Sequence, residues 1–300
     1  MVEPLHTDDE KVADIREMLP ATGAGIYLDT ATAGPFPAET ARALAEADEW
    51  ELKVGRGGPD RDADVAQRDA EARAVVAALL GADADDIVLM FGADDAVRWL
   101  PDGAAVADLR YVAGVEAIDV TALSVDAAVL DGHRWLLGPE GSGALWLRPG
   151  ARGRHAKRPN SPTLPRRSLL GLARSLGWLE MFVGLPWAYE RTARLSALLS
   201  EELAAVHGVD LLPSPGPAVV TFTIGGWTAE QTGEELSRRV FAILGSAGER
   251  DAVRASVGFW NTEAELTRFA EVVAVLAGHT PDSLPRRPGL AILTPSDDRA

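Results

Sequence analysis

The stretch from Asp131 to Leu147 constrains the fold of this chain most strongly. An apolar run, 127–130, leads into it and a second apolar run leaves it, with His133, Arg134 and a Gly-Pro-x-Gly-x-Gly turn between them. Glycine permits positive φ and close approach of the backbone to a neighbour. The stretch therefore predicts a strand, a functional loop and a second strand, although a plain glycine-rich hairpin would give the same local pattern.

Composition limits the classes of protein to which the chain can belong. With 300 residues, 47% of them hydrophobic and 25% charged, it is expected to be globular, with one large or two modest domains. No apolar run approaches the ~20 residues of a membrane span, and the acidic segment 1–10 lacks a signal-peptide core. The predicted location is the cytoplasm. The net charge of −16 argues against nucleic acid and membrane partners.

Cysteine is absent and the five histidines are scattered, so no metal site is predicted. Lysine is also scarce, since only Lys11, Lys53 and Lys157 are present. Arginine carries most of the positive charge, which together with the abundant alanine indicates a GC-rich, bacterial source.

Five short motifs follow one another along the chain. They are Tyr27–Pro35, Gly92–Ala96, Asp108, His133–Gly143 and Arg254–Thr262. Each has an ordinary structural explanation: a strand with its turn, an acidic helix start, an aspartate that ends a strand, a glycine-rich turn and a surface arginine. Their order, rather than any single motif, is what points to a function.

In this order the motifs resemble those of the class V aminotransferase family of fold-type I pyridoxal phosphate (PLP) enzymes. That family includes cysteine desulfurases and isopenicillin N epimerase-like proteins. The resemblance spans about residues 26–276, but the stretch between Ala96 and Ala104 is much shortened. The segment that carries the residue stacking on the cofactor ring in the family is missing there. A sulfur-transferring activity is not expected, because the chain has no thiol to carry a persulfide.

The resemblance also implies a role for each motif. Arg134 stands where the family has the lysine that forms the Schiff base with PLP. Asp108 matches the aspartate that pairs with the pyridine nitrogen, and Arg254 matches the arginine that clamps a substrate carboxylate. Thr32 and Asn261 lie on the implied substrate side. The phosphate turn would be Gly92, Ala93 and Asp94, a vestigial site in which Asp94 replaces a phosphate-binding threonine.

The resemblance implies an α/β fold: a reduced PLP-transferase large domain with a mostly parallel sheet, followed by a smaller α+β C-terminal domain. We expect an N-terminal arm at 1–25, the large domain at 26–150 and a connector at 151–167. The small domain is expected at 168–276 and a tail at 277–300. The candidate site would lie between the domains.

Arginine stays protonated and cannot form an imine, so no PLP Schiff base is expected at Arg134. No cofactor is expected, and noncovalent binding of PLP or pyridoxamine phosphate is the least favoured of the hypotheses. The first hypothesis is therefore a degenerate binding or partner subunit in bacterial specialised metabolism, as a homodimer or paired with an intact homologue. The second is a PLP-independent lyase, isomerase or transferase-like enzyme for a small carboxylate, with His133, Asp108 and Arg134 as catalytic residues. A third is amine chemistry from a noncovalently bound pyridoxamine phosphate.

Overall fold

The computed structural model describes residues 7–100, 103–149, 164–246 and 250–285. Most of the predicted connector, at 151–163, and the end of the predicted tail, at 286–300, lie outside the described residues. The helices are α1 (Asp8–Met18), α2 (Ala21–Ala24), α3 (Ala38–Val54), α4 (Pro59–Leu80), α5 (Ala93–Val97), α6 (Arg166–Trp178), α7 (Leu185–Ala204), α8 (Ala229–Val240) and α9 (Glu263–Ala277). The strands are β1 (Ile26–Leu28), β2 (Ile87–Met90), β3 (Val106–Asp108), β4 (Ala127–Asp131), β5 (Gly143–Leu147), β6 (Val209–Leu212), β7 (Val219–Ile224), β8 (Ala242–Ser246) and β9 (Val253–Ser256).

The first sheet has the strand order β2-β5-β4-β3 and carries the predicted loop between β4 and β5. β5 runs antiparallel to both β2 and β4, while β3 runs parallel to β4. Three of the four strands therefore point in one direction, with β5 reversed between two of them. Because the carboxyl ends of β2, β3 and β4 meet at one edge, the segments that follow these strands come together there. The predicted α/β class is confirmed.

The two faces of this sheet are covered unequally. Alternate residues such as Leu89, Leu130 and Trp146 belong to the larger core, to which α4 and α6 also contribute. On the opposite face a smaller apolar cluster includes Met90 and Val129 and is joined by the short helix α5. The outer edge of β3 has no neighbouring strand in the part of the chain that the structure describes.

The second sheet has the order β1-β8-β9-β7-β6, in which only β1 and β8 are parallel. Its apolar side chains pack with α7, α8 and α9 in a separate core. Phe222 of β7 and Phe269 of α9 meet edge-to-face at a centroid distance of 6.2 Å. The C-terminal part of the chain and the N-terminal strand β1 thus form one α+β layer.

The ranges expected for the large and small domains do not match the residues that form these two cores. β1 was expected in the large domain at 26–150, but it pairs with β8 in the second sheet. Helix α6 was expected in the small domain at 168–276, but Leu169, Leu172 and Leu176 on this helix belong to the first core. The core in which an apolar side chain is buried depends on contacts between distant segments, which position in the sequence does not indicate.

Strand β8 was not predicted. The sequence has capping-box spacing at Thr228 and Gln231 and again at Thr262 and Glu265, and after Thr228 the residues Leu236, Val240 and Leu244 have the spacing of one helix face, which predicts a helix that continues to Leu244. The helix begins at the predicted capping box of Thr228 and Gln231 and ends at Val240. Phe241 then adopts a left-handed conformation with φ 55°, and the chain continues as β8. Pairing of β8 with β1 and β9 supplies its backbone hydrogen bonds, which outweighs a periodicity that suits a helix.

Candidate functional site

The loop between β4 and β5 is a buried structure rather than a surface turn. The Gly132 amide donates to the Ser142 carbonyl at 2.7 Å, and the Gly138 amide donates to the Gly132 carbonyl at 2.8 Å. Trp135 and the two leucines after it are almost completely buried. A Cβ at position 132 would lie 2.4 Å from the Ser142 Oγ, so only glycine fits there. This packing fixes the position of the His133–Arg134 pair.

Arg134, which the resemblance implied to replace the cofactor lysine, is held on three sides. Its Nε donates to the Asp131 Oδ2 at 2.9 Å, and its Nη1 donates to the Ala31 carbonyl. Its guanidinium carbon lies 4.8 Å from the ring centroid of Tyr111, a cation–π distance. The side chain is 15% exposed. Arg134 is therefore a fixed, permanently charged group with no free amine.

Asp131 ties this loop to the turn after β2. Its Oδ1 accepts the Ala93 backbone N–H at 2.8 Å, while its Oδ2 receives Arg134. The carboxylate is 7% exposed, so both hydrogen bonds are shielded from water. Asp131 was missed as a site residue from the sequence. The only available signal was an acid at the end of an apolar strand.

Arg110 connects the other two acids of the predicted site, Asp94 and Asp108. Its Nε and Nη2 donate to the Asp108 carboxylate at 2.7–3.0 Å, and its Nη1 donates to the Asp94 Oδ1 at 2.8 Å. Burial disfavours the charged form of Asp108, but the hydrogen bonds and the charge of Arg110 outweigh it, so the pKa of Asp108 is lowered. Arg110 was also missed, because only the folded sheet brings Asp94, on the helix that follows β2, close to the residues that follow β3.

Arg254 projects from β9 next to the turn after β1. Its Nη2 donates to the Thr32 Oγ1 at 2.8 Å, and its Nε is buried with no hydrogen-bond partner. Asp29 lies nearby, and burial raises its pKa, against the opposing effects of Thr32, Arg254 and Arg134. Arg254 and Thr32 are thus brought together, and their role in substrate binding stays a prediction.

His133 is half-buried and lies against the same turn. Its carbonyl accepts the Gly34 N–H at 2.8 Å, and its Nδ1 is buried with no hydrogen-bond partner. Burial lowers the pKa of His133, with the charge of Asp131 acting in the opposite direction. The imidazole is therefore neutral near pH 7. In the described residues no hydrogen bond joins it to Asp108, which the second hypothesis uses to orient it.

Asn261 is completely buried, and both ends of its amide are occupied by backbone groups. Its Oδ1 accepts the Gly258 N–H at 2.9 Å, and its Nδ2 donates to the Tyr27 carbonyl at 3.3 Å. Arg191 supports the same loop by donating to the carbonyls of Phe259 and Asn261. These contacts give Asn261 a structural place. Its predicted contact with substrate is untested.

A cleft of about 340 Å³ opens beside Arg254. It lies between residues that follow β3 and residues of the second sheet, so both sheets contribute to it. Its walls are formed by Tyr111, Pro213, Ser214, Pro215, Thr221, Arg250 and Arg254. Because Tyr111 also lies under Arg134, the cleft is connected to the loop through one aromatic ring.

Comparisons with known proteins define the fold. No family model and no curated protein matches the chain. Among solved structures, the apo cysteine desulfurase of Thermococcus onnurineus NA1 has a TM-score of 0.75 at 16% identity, covering 89% of this chain and 98% of its own. The cysteine desulfurase CsdA of Escherichia coli has a TM-score of 0.71 at 17% identity, covering 90% and 98%. A C-DES mutant with glycine covalently linked to the PLP cofactor has a TM-score of 0.74 at 14% identity, covering 86% and 98%.

The chain therefore has the fold of the fold-type I PLP enzymes, and specifically that of the cysteine desulfurases in the class V aminotransferase group. This confirms the fold that the motif order implied. At these identities the likeness concerns the fold alone.

The expectation that the chain takes no cofactor is corrected by the same comparison. Its neighbours include PLP enzymes, and the C-DES structure is that of a lysine-to-alanine mutant that still holds PLP with glycine attached. Loss of a lysine therefore does not remove PLP from a protein of this fold. The expectation gave too much weight to Arg134, because a cofactor is also held by noncovalent contacts.

The residues of this chain do not fit covalent attachment of PLP. The position of the family lysine carries a guanidinium, which forms no imine. In addition, the Ala93 N–H of the implied phosphate turn is occupied by Asp131, and Asp94 and Asp108 both bind Arg110.

Among the described residues no single helix is long and apolar enough to cross a membrane. One pair of helical segments, Arg166–Val183 and Leu185–Ala204, passes that test together by length and composition, with a bend of 83° between them.

Proposed function

We propose that this chain is a degenerate class V aminotransferase-like binding or partner subunit that forms no Schiff base at position 134. Its ligand is a small carboxylate, held by Arg254 in the cleft between the two sheets. The observation that carries the proposal is the engagement of Arg134 by Asp131, Ala31 and Tyr111. A side chain with these contacts stabilises the loop and can attract an anion, but it cannot hold an aldehyde as an imine.

Arg254 supports the carboxylate part of the proposal. A guanidinium binds a carboxylate through two parallel hydrogen bonds, and Arg254 has a buried Nε without a partner beside a cleft. One of its nitrogens is fixed by Thr32, which orients the planar group. The cleft has the volume of a small-molecule site.

Ligand-observed NMR titration with butyrate, succinate and glutarate tests this part. The wild type should bind at least one of these acids saturably, and Arg254→Gln should weaken that binding about tenfold or more, the worth of a charge-assisted hydrogen bond. Arg238→Gln is the matched control, because Arg238 is an exposed arginine of α8 paired with Glu234 and Glu235. Equal binding by the wild type and Arg254→Gln, or no saturable binding by the wild type, would refute the proposal.

Exposed apolar side chains beside the site support association with a second subunit. Three side chains in or next to helix α5 are 41–50% exposed, namely Phe91, Val97 and Trp99. Val106 lies on β3, whose outer edge is open in the described part of the chain. An apolar patch next to the open edge of a strand is typical of an interaction surface. Sedimentation velocity should therefore show a dimer of the wild type that Trp99→Asp weakens. A monomer at every concentration would contradict the homodimer and leave pairing with an intact homologue as the form to test.

An acid–base enzyme that reuses the old cofactor pocket is the alternative, favoured by one observation. His133 is a half-buried imidazole whose pKa is lowered by burial, so its ring is neutral near pH 7 and keeps a nitrogen lone pair that can accept a proton. In this alternative, His133→Gln abolishes turnover of a carboxylate substrate without changing its binding. If His133→Gln leaves every activity of the protein intact, the alternative is wrong.

A further inference from the structure

The cleft beside Arg254 contains a second guanidinium, that of Arg250, and within the part of the chain that the structure describes its lining includes no acidic side chain. This is unusual in a chain with a net charge of −16. Arg250 lies near the start of β9 and was not part of any motif identified in the sequence. Its presence bears on what the cleft can recognise.

Local contacts hold both arginines at the cleft. Arg250 donates from Nη1 to the Pro213 carbonyl at 3.0 Å, which fixes it to the segment that forms one wall. Arg254 lies opposite Thr221 in the register of β9 and β7. The Ser214 hydroxyl lies 3.1 Å from the Thr221 hydroxyl, which gives the wall between the two arginines a polar surface.

Neither arginine is neutralised by an ion pair within 4 Å among residues 7–100, 103–149, 164–246 and 250–285. Asp29 is the carboxylate that acts on Arg254, yet its Oδ1 is itself buried without a hydrogen-bond partner. The structure gives one hydrogen bond from Arg250, to Pro213, and one from Arg254, to Thr32. Since a guanidinium has several N–H donors in a planar fork, each arginine keeps donors for a ligand.

We infer that the cleft selects small dicarboxylates, with one carboxylate on Arg254 and the other on Arg250. The inference rests on the proposed function, because it takes Arg254 as the first carboxylate site. The cavity of about 340 Å³ accommodates a short dicarboxylate chain, and the prolines at positions 213 and 215 supply apolar surface for its methylene groups. Two fixed cations recognise two anionic groups better than one, which gives selectivity over monocarboxylates.

The experiment compares succinate and glutarate with butyrate and valerate by ligand-observed NMR on the full chain. For the wild type, the better dicarboxylate should bind about tenfold more tightly than the matching monocarboxylate, as expected for one additional charge-assisted contact. Arg250→Gln should remove this preference and leave monocarboxylate binding unchanged, while Arg254→Gln should weaken both. Arg238→Gln should change neither.

The outcomes separate this inference from the proposed function. If the wild type binds mono- and dicarboxylates equally, or Arg250→Gln keeps the preference, the inference is wrong even where Arg254→Gln still loses binding. If Arg254→Gln binds carboxylates as tightly as the wild type, both the proposed function and this inference are wrong. A preference for 3-phosphonopropionate over both dicarboxylates by tenfold or more would replace the dicarboxylate class with a phosphorylated acid.

Discussion

Replacing Asp131 with asparagine tests whether the buried Asp131–Arg134 pair holds the loop in place. The substitution preserves the size of the side chain and removes its charge. Asp131 is 7% exposed and Arg134 15% exposed, and the carboxylate accepts hydrogen bonds from both Arg134 and Ala93. Removing one partner of a buried ion pair costs about 3–5 kcal/mol, because the other charge is left without compensation. The residual exposure of Arg134 reduces this to roughly 2–4 kcal/mol, since water partly solvates the guanidinium.

Differential scanning calorimetry gives the assay, and Asp69→Asn gives the control. Asp69 also pairs with an arginine at 2.8 Å, but it is 37% exposed and lies on one face of α4. An exposed pair of this kind is worth about 0.3–0.5 kcal/mol. Asp131→Asn should therefore lower Tm by roughly 3–8 °C and Asp69→Asn by no more than about 1 °C. Equal losses from the two substitutions would refute the argument from burial.

A double variant separates the two parts of this loss. In Asp131→Asn with Arg134→Gln, no uncompensated charge remains in the loop. The double variant should be less destabilised than the sum of the two single variants. An additive loss would mean that the two side chains do not act as a pair.

Three further predictions concern neighbouring residues. Gly34→Ala would place a Cβ 2.3 Å from the Arg134 carbonyl oxygen and should lower Tm clearly. Gly177 lies in a helix, and a Cβ there meets nothing within 4 Å, so Gly177→Ala should be neutral or stabilising by about 0.5–1 kcal/mol. Calorimetry that finds the two variants equally stable would contradict this. Asn261→Ala removes two buried hydrogen bonds and should lower the free energy of unfolding in urea by roughly 1–3 kcal/mol, and an unchanged midpoint would count against those bonds. Burial lowers the pKa of His133 from 6.5, so the unfolded chain binds this proton more readily than the folded chain, and stability is lost as pH falls below 6.5. Between about pH 7.5 and pH 5.5, Tm should therefore fall less in His133→Gln than in the wild type. Identical slopes for the two proteins would show that His133 does not titrate as described.

Local sequence rules predicted the elements that carry the site. The strand–loop–strand pattern around the glycine-rich turn is present as β4 and β5. The predicted capping boxes at Thr228 and Thr262 both form, because their contacts join residues three apart. The order of the motifs was enough to identify the fold, since each motif marks where a strand ends or a helix begins.

Contacts between segments far apart in the sequence could not be predicted in the same way. Arg110 reaches Asp94 only because β2, which α5 follows, and β3 point in the same direction in the sheet. Arg250 joins the cleft of Arg254 through its contact with Pro213, a residue 37 positions away. Propensity and periodicity carry no information about such pairs.

The most direct test of the central claim is borohydride reduction of the wild-type protein in the presence of PLP, followed by peptide mapping with mass spectrometry. Reduction converts an imine into a stable pyridoxyl-lysine, and only Lys11, Lys53 and Lys157 could carry one. Noncovalently bound PLP leaves no such mark, so the result reports on the Schiff base alone. The account predicts no stoichiometric modification at any of the three lysines. Stoichiometric pyridoxyl-lysine at one of them would show that the chain forms a Schiff base elsewhere and would contradict it.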